Sequence, residues 1–161
     1  MTLQEPRPHA HTGHSGRALI VTRGLPGSGK TTWAQHQLAL YPPGIMARCN
    51  RDDLRRMTQG TPRYDPPSES VITDIQRAVL NILLQTAQYV IVDDTNLNDD
   101  HVYELAVIAH QHGAVVETQD FRDVPLELCL DRDRRRTVGR VGDAVIRAMH
   151  ARYLAPTRDS S

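Results

Sequence analysis

Lysine is almost missing from this chain: of nineteen Lys and Arg side chains, only Lys30 is a lysine. In a composition so biased toward arginine the retained lysine is informative, because a compact ammonium on a flexible stem does something there that a planar guanidinium cannot. Net charge is missing too, with nineteen basic and nineteen acidic side chains. A neutral chain does not coat long stretches of nucleic acid, although it can still carry a small basic cleft. The two cysteines, Cys49 and Cys129, are isolated. That excludes a disulfide framework or a cysteine-ligated metal and leaves two reduced, structural thiols. No apolar run approaches the roughly 20 residues needed to span a bilayer, and the N-terminus has no apolar stretch of the signal-peptide kind. The expectation is a cytoplasmic protein with no membrane contact.

What remains is enough for one domain. The 161 residues, 39% hydrophobic and 24% charged, fit a single globular core. Residues 1–16 carry prolines, glycines and scattered histidines without an apolar period, so they read as a disordered tail, and 17–161 as the domain. His9, His11 and His14 read as part of that solvated tail rather than as a metal site, since no further ligand cluster accompanies them. From Arg17 onward short apolar runs alternate with helical periods. Strands are predicted over 18–22, 45–49, 89–92 and 114–121, and helices over 30–40, 52–57, 68–87, 99–111, 125–136 and 143–154. This order predicts a three-layer α/β fold, about four parallel strands flanked by helices, with ligands at the C-terminal strand ends.

The residues with chemical meaning fall at those ends. Gly24-Leu25-Pro26-Gly27-Ser28-Gly29-Lys30-Thr31 stands between a strand and a helix. Its glycines let successive N–H groups wrap a polyphosphate, the helix adds its positive dipole end, Lys30 reaches the β- and γ-phosphates, and the Thr31 hydroxyl ligates Mg²⁺. The expected nucleotide set is Gly27, Ser28, Gly29, Lys30, Thr31 and Thr32, taking ATP or another NTP. Asp93 and Asp94 end an apolar strand, where a carboxylate meets the metal shell or organises its neighbours. Side chains alternate on a strand, so only one of the two faces the loop. Asp52 and Arg55 are three apart on a predicted helix, a carboxylate base beside a phosphate-binding cation. Arg132 and Arg136, four apart in a charge run, suit either a helical lid over the transferring phosphoryl group or a solvated face.

Together, the loop, Asn50-Arg51-Asp52-Asp53-Leu54-Arg55, Asp94-Thr95-Asn96-Leu97-Asn98, Val124-Pro125 and the Arg-rich segment resemble the kinase domain of bacteriophage-type polynucleotide 5′-hydroxyl kinases, from about Arg17 to Leu154. The resemblance implies a P-loop kinase-type fold with an Arg-bearing helical lid, transferring the γ-phosphate of ATP to the 5′-OH of DNA or RNA. It makes Asp52 the general base, Arg55 the contact to the acceptor's 3′-adjacent phosphate, and Asp94 the support of the acceptor and lid groups and, with Thr31, a metal position. Arg132 and Arg136 become lid arginines on the donor phosphates. The phosphatase domain that often accompanies such kinases is not implied, since the chain has neither the length nor an Asp-x-Asp-Gly motif for it. A small-molecule kinase of the same fold, acting on a sugar acid, an antibiotic or a nucleotide, is the alternative. A binding module without catalysis is a further one.

Overall fold

A computed structural model describes residues 16–155, so the expected tail and its histidines lie, apart from Gly16, outside the described residues. In chain order the elements are β1 (Ala18–Arg23), α1 (Lys30–Leu40), β2 (Met46–Cys49), α2 (Arg51–Gln59), a 3-10 turn (Pro66–Ser68), α3 (Glu69–Thr86), β3 (Tyr89–Val92), α4 (Asp99–Gln111), β4 (Val115–Asp120), α5 (Leu126–Arg134) and α6 (Asp143–Tyr153). The strands form one parallel sheet in the order β2-β3-β1-β4. This is the α/β architecture that the alternation predicts.

Strand alternation builds the layers. Leu19, Val21, Val90, Val92 and Cys49 pack with Ile72, Leu80 and Leu84 of α3 and Leu105 and Ala109 of α4. The intervening Ile20, Ile91 and Met46 pack on the other face with Ala34 of α1. A third cluster, Leu25, Leu97, Cys129, Leu130 and Ile146, holds α5 and α6 against the loops leaving β1 and β3. In the central pairing Val21 is level with Val92, so the chain leaves both strands side by side, at Gly24 and at Asp93. That register is what places the glycine-rich loop next to the paired acids.

Two helices differ from expectation by two residues at an end. α2 runs Arg51–Gln59 rather than 52–57, because the Asn50 side chain accepts from the Asp53 N–H at its start and Gly60, at φ 74°, closes its end in the left-handed region. α5 stops at Arg134, short of the expected 136. Its last turn tightens through Arg136 N–H to Asp133 O. The buried Asp133 carboxylate accepts from the N–H groups of Val141 (3.1 Å) and Gly142 (2.9 Å), drawing the following segment back over the helix end. Arg136 therefore lies just beyond the helix. Among the described residues no helix is long and apolar enough to cross a membrane.

The sheet-facing stripe of α1 is Lys30, Ala34 and Gln37, at i, i+4 and i+7, which is why this helix is scarcely amphipathic in sequence. Gln37 is 1% exposed, and among the described residues neither amide atom has a hydrogen-bond partner. A buried amide without partners carries its full desolvation cost. Gln37→Met, which keeps the volume and removes the polar atoms, should raise stability by about 1 kcal/mol or more. Urea unfolding measures it, and an unchanged or lower midpoint would contradict the burial argument.

Candidate active site

The loop after β1 folds against α5. Gly27, at φ 83°, sits so close to that helix that a Cβ would lie 2.3 Å from the Cys129 carbonyl oxygen, so no other residue fits. Gly29, left-handed at φ 105°, precedes the first turn of α1 and presents its free N–H groups. Lys30 follows, buried, its Nζ donating to Gly24 O (2.9 Å) and Leu25 O (2.7 Å) and lying 3.3 Å from Ser28 Oγ. Burial pushes the ammonium down to about 8; Asp93 opposes that shift and Arg136 adds to it.

Above the loop opens a cleft of about 720 Å³, floored by residues 27–32 and walled by Trp33, His36, Arg132 and Arg136. Arg132 Nη1 donates to Gly27 O (3.3 Å) and Ser28 O (3.4 Å). The structure thus gathers Gly27, Ser28, Gly29, Lys30, Thr31 and Thr32 with both arginines of the expected lid. The rest of the charge run is paired at the surface: Arg135 with Asp131 (2.8 Å) and Arg134 with Asp143.

The acids after β3 separate as alternation demands, but the carboxylate that meets the loop is Asp93, not Asp94. Continuing the strand pattern, Asp93 falls on the Ile91 side, toward α1, where its Oδ1 accepts from Thr31 Oγ1 (3.3 Å). Its Oδ2 takes both Arg48 Nε (2.8 Å) and Nη2 (2.7 Å). Burial raises the Asp93 carboxyl, and Arg48 and Thr31 resist that rise. Asp94 falls on the opposite side, toward α2 and α3, accepting from the Arg51 N–H (2.9 Å) and Gln76 Nε2 (2.7 Å). Desolvation pushes its carboxyl up to about 6, against those two hydrogen bonds. Asp93, and not the Asp94 of the expected metal pair, is therefore the acid in contact with Thr31, one residue and one strand face away. Thr31 and Asp93 offer hard oxygen donors, the set that suits Mg²⁺, an ion that takes one or two protein ligands and completes its shell with water and phosphate. Among the described residues no group of three His, Cys, Asp or Glu forms a metal cage of its own.

On α2, Asp52 and Arg55 share a face as their spacing predicts. Arg55 Nη1 donates to Asp52 Oδ1 (2.6 Å), and Asp52 remains about half exposed. The sequence reading missed Glu69, at the start of α3. Its carboxylate takes Arg55 Nε (2.7 Å) and Nη2 (2.9 Å) in a fork and also Arg51 Nη2 (2.7 Å). Burial works against the Glu69 charge, but those hydrogen bonds outweigh it and hold its carboxyl below the usual range. Glu69 stands 14 residues from Arg55, beyond any helical period, so only the helix start was visible in the sequence. Arg48 bridges the halves by pairing with Asp93 and with Asp53 (2.6 Å). The cysteines match expectation: both are free and buried, and burial pushes the Cys49 thiol up to about 12, far from any nucleophilic role.

A family model described as an AAA domain matches residues 19–156. Among solved structures the chain is similar to two Pnkp1/Rnl/Hen1 complexes, one of them described as an RNA repair complex. To the first it is 28% identical, covering 82% of this chain and 43% of that chain at a TM-score of 0.62. To the second it is 26% identical, covering 89% and 46% at a TM-score of 0.74. The chain thus spans less than half the length of either matched Pnkp1-complex chain. Kti12 of Chaetomium thermophilum, in complex with ADP-AlF3, shares the fold at 18% identity, covering 86% and 81% at a TM-score of 0.58. So does the Mycobacterium tuberculosis APS kinase CysC in complex with AMPPNP and APS, at 18% identity, 74% and 70% coverage and a TM-score of 0.56. The four parallel strands and their flanking helices are a P-loop kinase fold, and by the match over residues 19–156 the chain belongs to the AAA-domain family.

Proposed function

We propose that this domain transfers the γ-phosphoryl group of ATP, or of another NTP, to the 5′-hydroxyl of a DNA or RNA end. The observation that carries this reading is the Asp52–Arg55–Glu69 cluster, a half-exposed carboxylate beside an arginine fixed in place at the end of the strand next to β3. Similarity to the Pnkp1 complexes supports a nucleic-acid acceptor. The loop amides and Lys30 bind the donor phosphates, and Arg132 and Arg136 neutralise charge as the phosphoryl group moves. Thr31, with Asp93 behind it, would hold Mg²⁺, which when bound would supply Lewis-acid polarisation of the phosphate oxygens. Asp52 takes the proton of the 5′-hydroxyl, whose oxygen forms the new P–O bond while the bond to the bridging oxygen of the departing diphosphate breaks. Arg55 spends three of its five N–H donors on Asp52 and Glu69, leaving two for the acceptor's 3′-phosphate. Asp94 supports that subsite from below by tying the start of α2 to β3 through the Arg51 N–H. The setting proposed is the cytoplasm, in nucleic-acid repair.

Three outcomes test this reading. Donor phosphates beside Lys30 should restore its ammonium pKa, so ATP binding takes up a proton near pH 8. Since the bound form is the protonated one, affinity should fall as pH rises through about 8, toward tenfold per pH unit, in calorimetry across buffers. A flat profile from pH 7 to 9 would contradict the placement of Lys30. Asp52→Asn should reduce transfer by roughly 10²-fold or more with ATP affinity within about twofold, because the amide keeps the shape but accepts no proton. Parallel loss of nucleotide binding would move Asp52 to the donor side. A nucleoside 3′-phosphate should be phosphorylated much faster than the nucleoside alone, which leaves Arg55 without its anion. Equal rates would remove the Arg55 role, and no transfer to any 5′-OH acceptor would leave a small-molecule kinase.

A further inference from the structure

Tyr64 sits in the segment joining α2 to the turn before α3, outside every motif considered so far. Its side chain is exposed: the residue is 62% accessible. Yet it is not placed at random. The Arg55 guanidinium carbon lies 5.7 Å from the centre of its ring. Asp52 and Glu69 occupy the edges of that guanidinium, which lies over the Tyr64 ring. Pro62, Pro66 and Pro67 flank Tyr64 in sequence and fix their own φ angles, which limits the conformational freedom of the segment that carries it. The result is a broad, solvent-facing aromatic surface beside the arginine to which the acceptor phosphate is assigned.

We propose that Tyr64 is the stacking platform for the acceptor's terminal nucleobase. The base lies on the Tyr64 ring while the 3′-phosphate meets Arg55 and the 5′-hydroxyl meets Asp52. This rests on the polynucleotide-acceptor reading and deepens it: the acceptor is recognised as a base-bearing nucleotide and not as a sugar phosphate. Every base has a π-face, so the site is tolerant of sequence but intolerant of base loss. Tyr64 also remains available to purines and pyrimidines in DNA and RNA alike, since stacking does not read the 2′-hydroxyl.

The test compares two acceptors in the wild type, Tyr64→Phe and Tyr64→Ala: thymidine 3′-phosphate and its abasic counterpart, 1,2-dideoxyribose 3-phosphate. The wild type should favour the base-bearing acceptor about tenfold or more, chiefly through KM. Tyr64→Phe should keep that preference and Tyr64→Ala should abolish it, with KM for ATP in each variant confirming that the donor site is intact. A wild type that phosphorylates both acceptors equally overturns the platform while leaving the kinase reading standing. So does an alanine variant that loses activity on both to the same extent, since Tyr64 would then act only by holding Arg55. A wild type that transfers phosphate to neither overturns the nucleic-acid reading itself, and the platform with it.

Discussion

The whole site hangs on two carboxylates placed one after the other at the end of β3. A strand sends consecutive side chains to opposite faces, so Asp93 and Asp94 enter different compartments of the same fold. Asp93 goes into the α1 side with Thr31 and Arg48, and Asp94 into the α3 side with the Arg51 N–H and Gln76. Burying a charge without partners costs several kcal/mol, so each acid holds its surroundings to a narrow geometry. Through Asp93 the phosphate loop is coupled to Arg48 and, beyond it, to Asp53 of α2. Through Asp94 the first turn of the same helix is pinned to the sheet. Donor loop and candidate acceptor helix are thereby set against each other by one dipeptide.

The arginine bias of the chain is used in a consistent way. Arg48, Arg51 and Arg55 each serve more than one partner, which a guanidinium does with its planar fork and an ammonium does less well. The lone lysine occupies the one place where a point charge must enter a closed loop of backbone. There it is desolvated and held on carbonyl oxygens. The inward face of α1 carries Lys30 and Gln37 where a purely structural helix would carry aliphatic side chains.

How much of this was legible depends on how local each signal is. β3, α4 and the glycine-rich loop were read to the residue or nearly so, because apolar runs, caps and turn glycines act within a few positions. The end of α5 was misplaced by two residues. Nothing in Arg134-Arg135-Arg136 stops a helix; the stop comes from Asp133 binding the N–H groups of Val141 and Gly142, a contact made after the chain turns back. Glu69 was seen as a helix start and not as the partner of two arginines, since the 3-10 turn and the loop that bring it there carry no periodicity.

The amino-acid sequence by itself determined the order of strands and helices, the phosphate-cradling loop with Lys30 and Thr31, the pairing of Asp52 with Arg55, and the rule that Asp93 and Asp94 must part company. These follow from spacing and backbone chemistry within one element. Only the tertiary structure decided which of the two acids meets Thr31, that Arg48 reaches Asp93, that Glu69 holds Arg55, and that Arg55 lies over the Tyr64 ring. Those choices depend on which helix covers which face of the sheet, and contacts between residues far apart in sequence exist only once the sheet has brought them together.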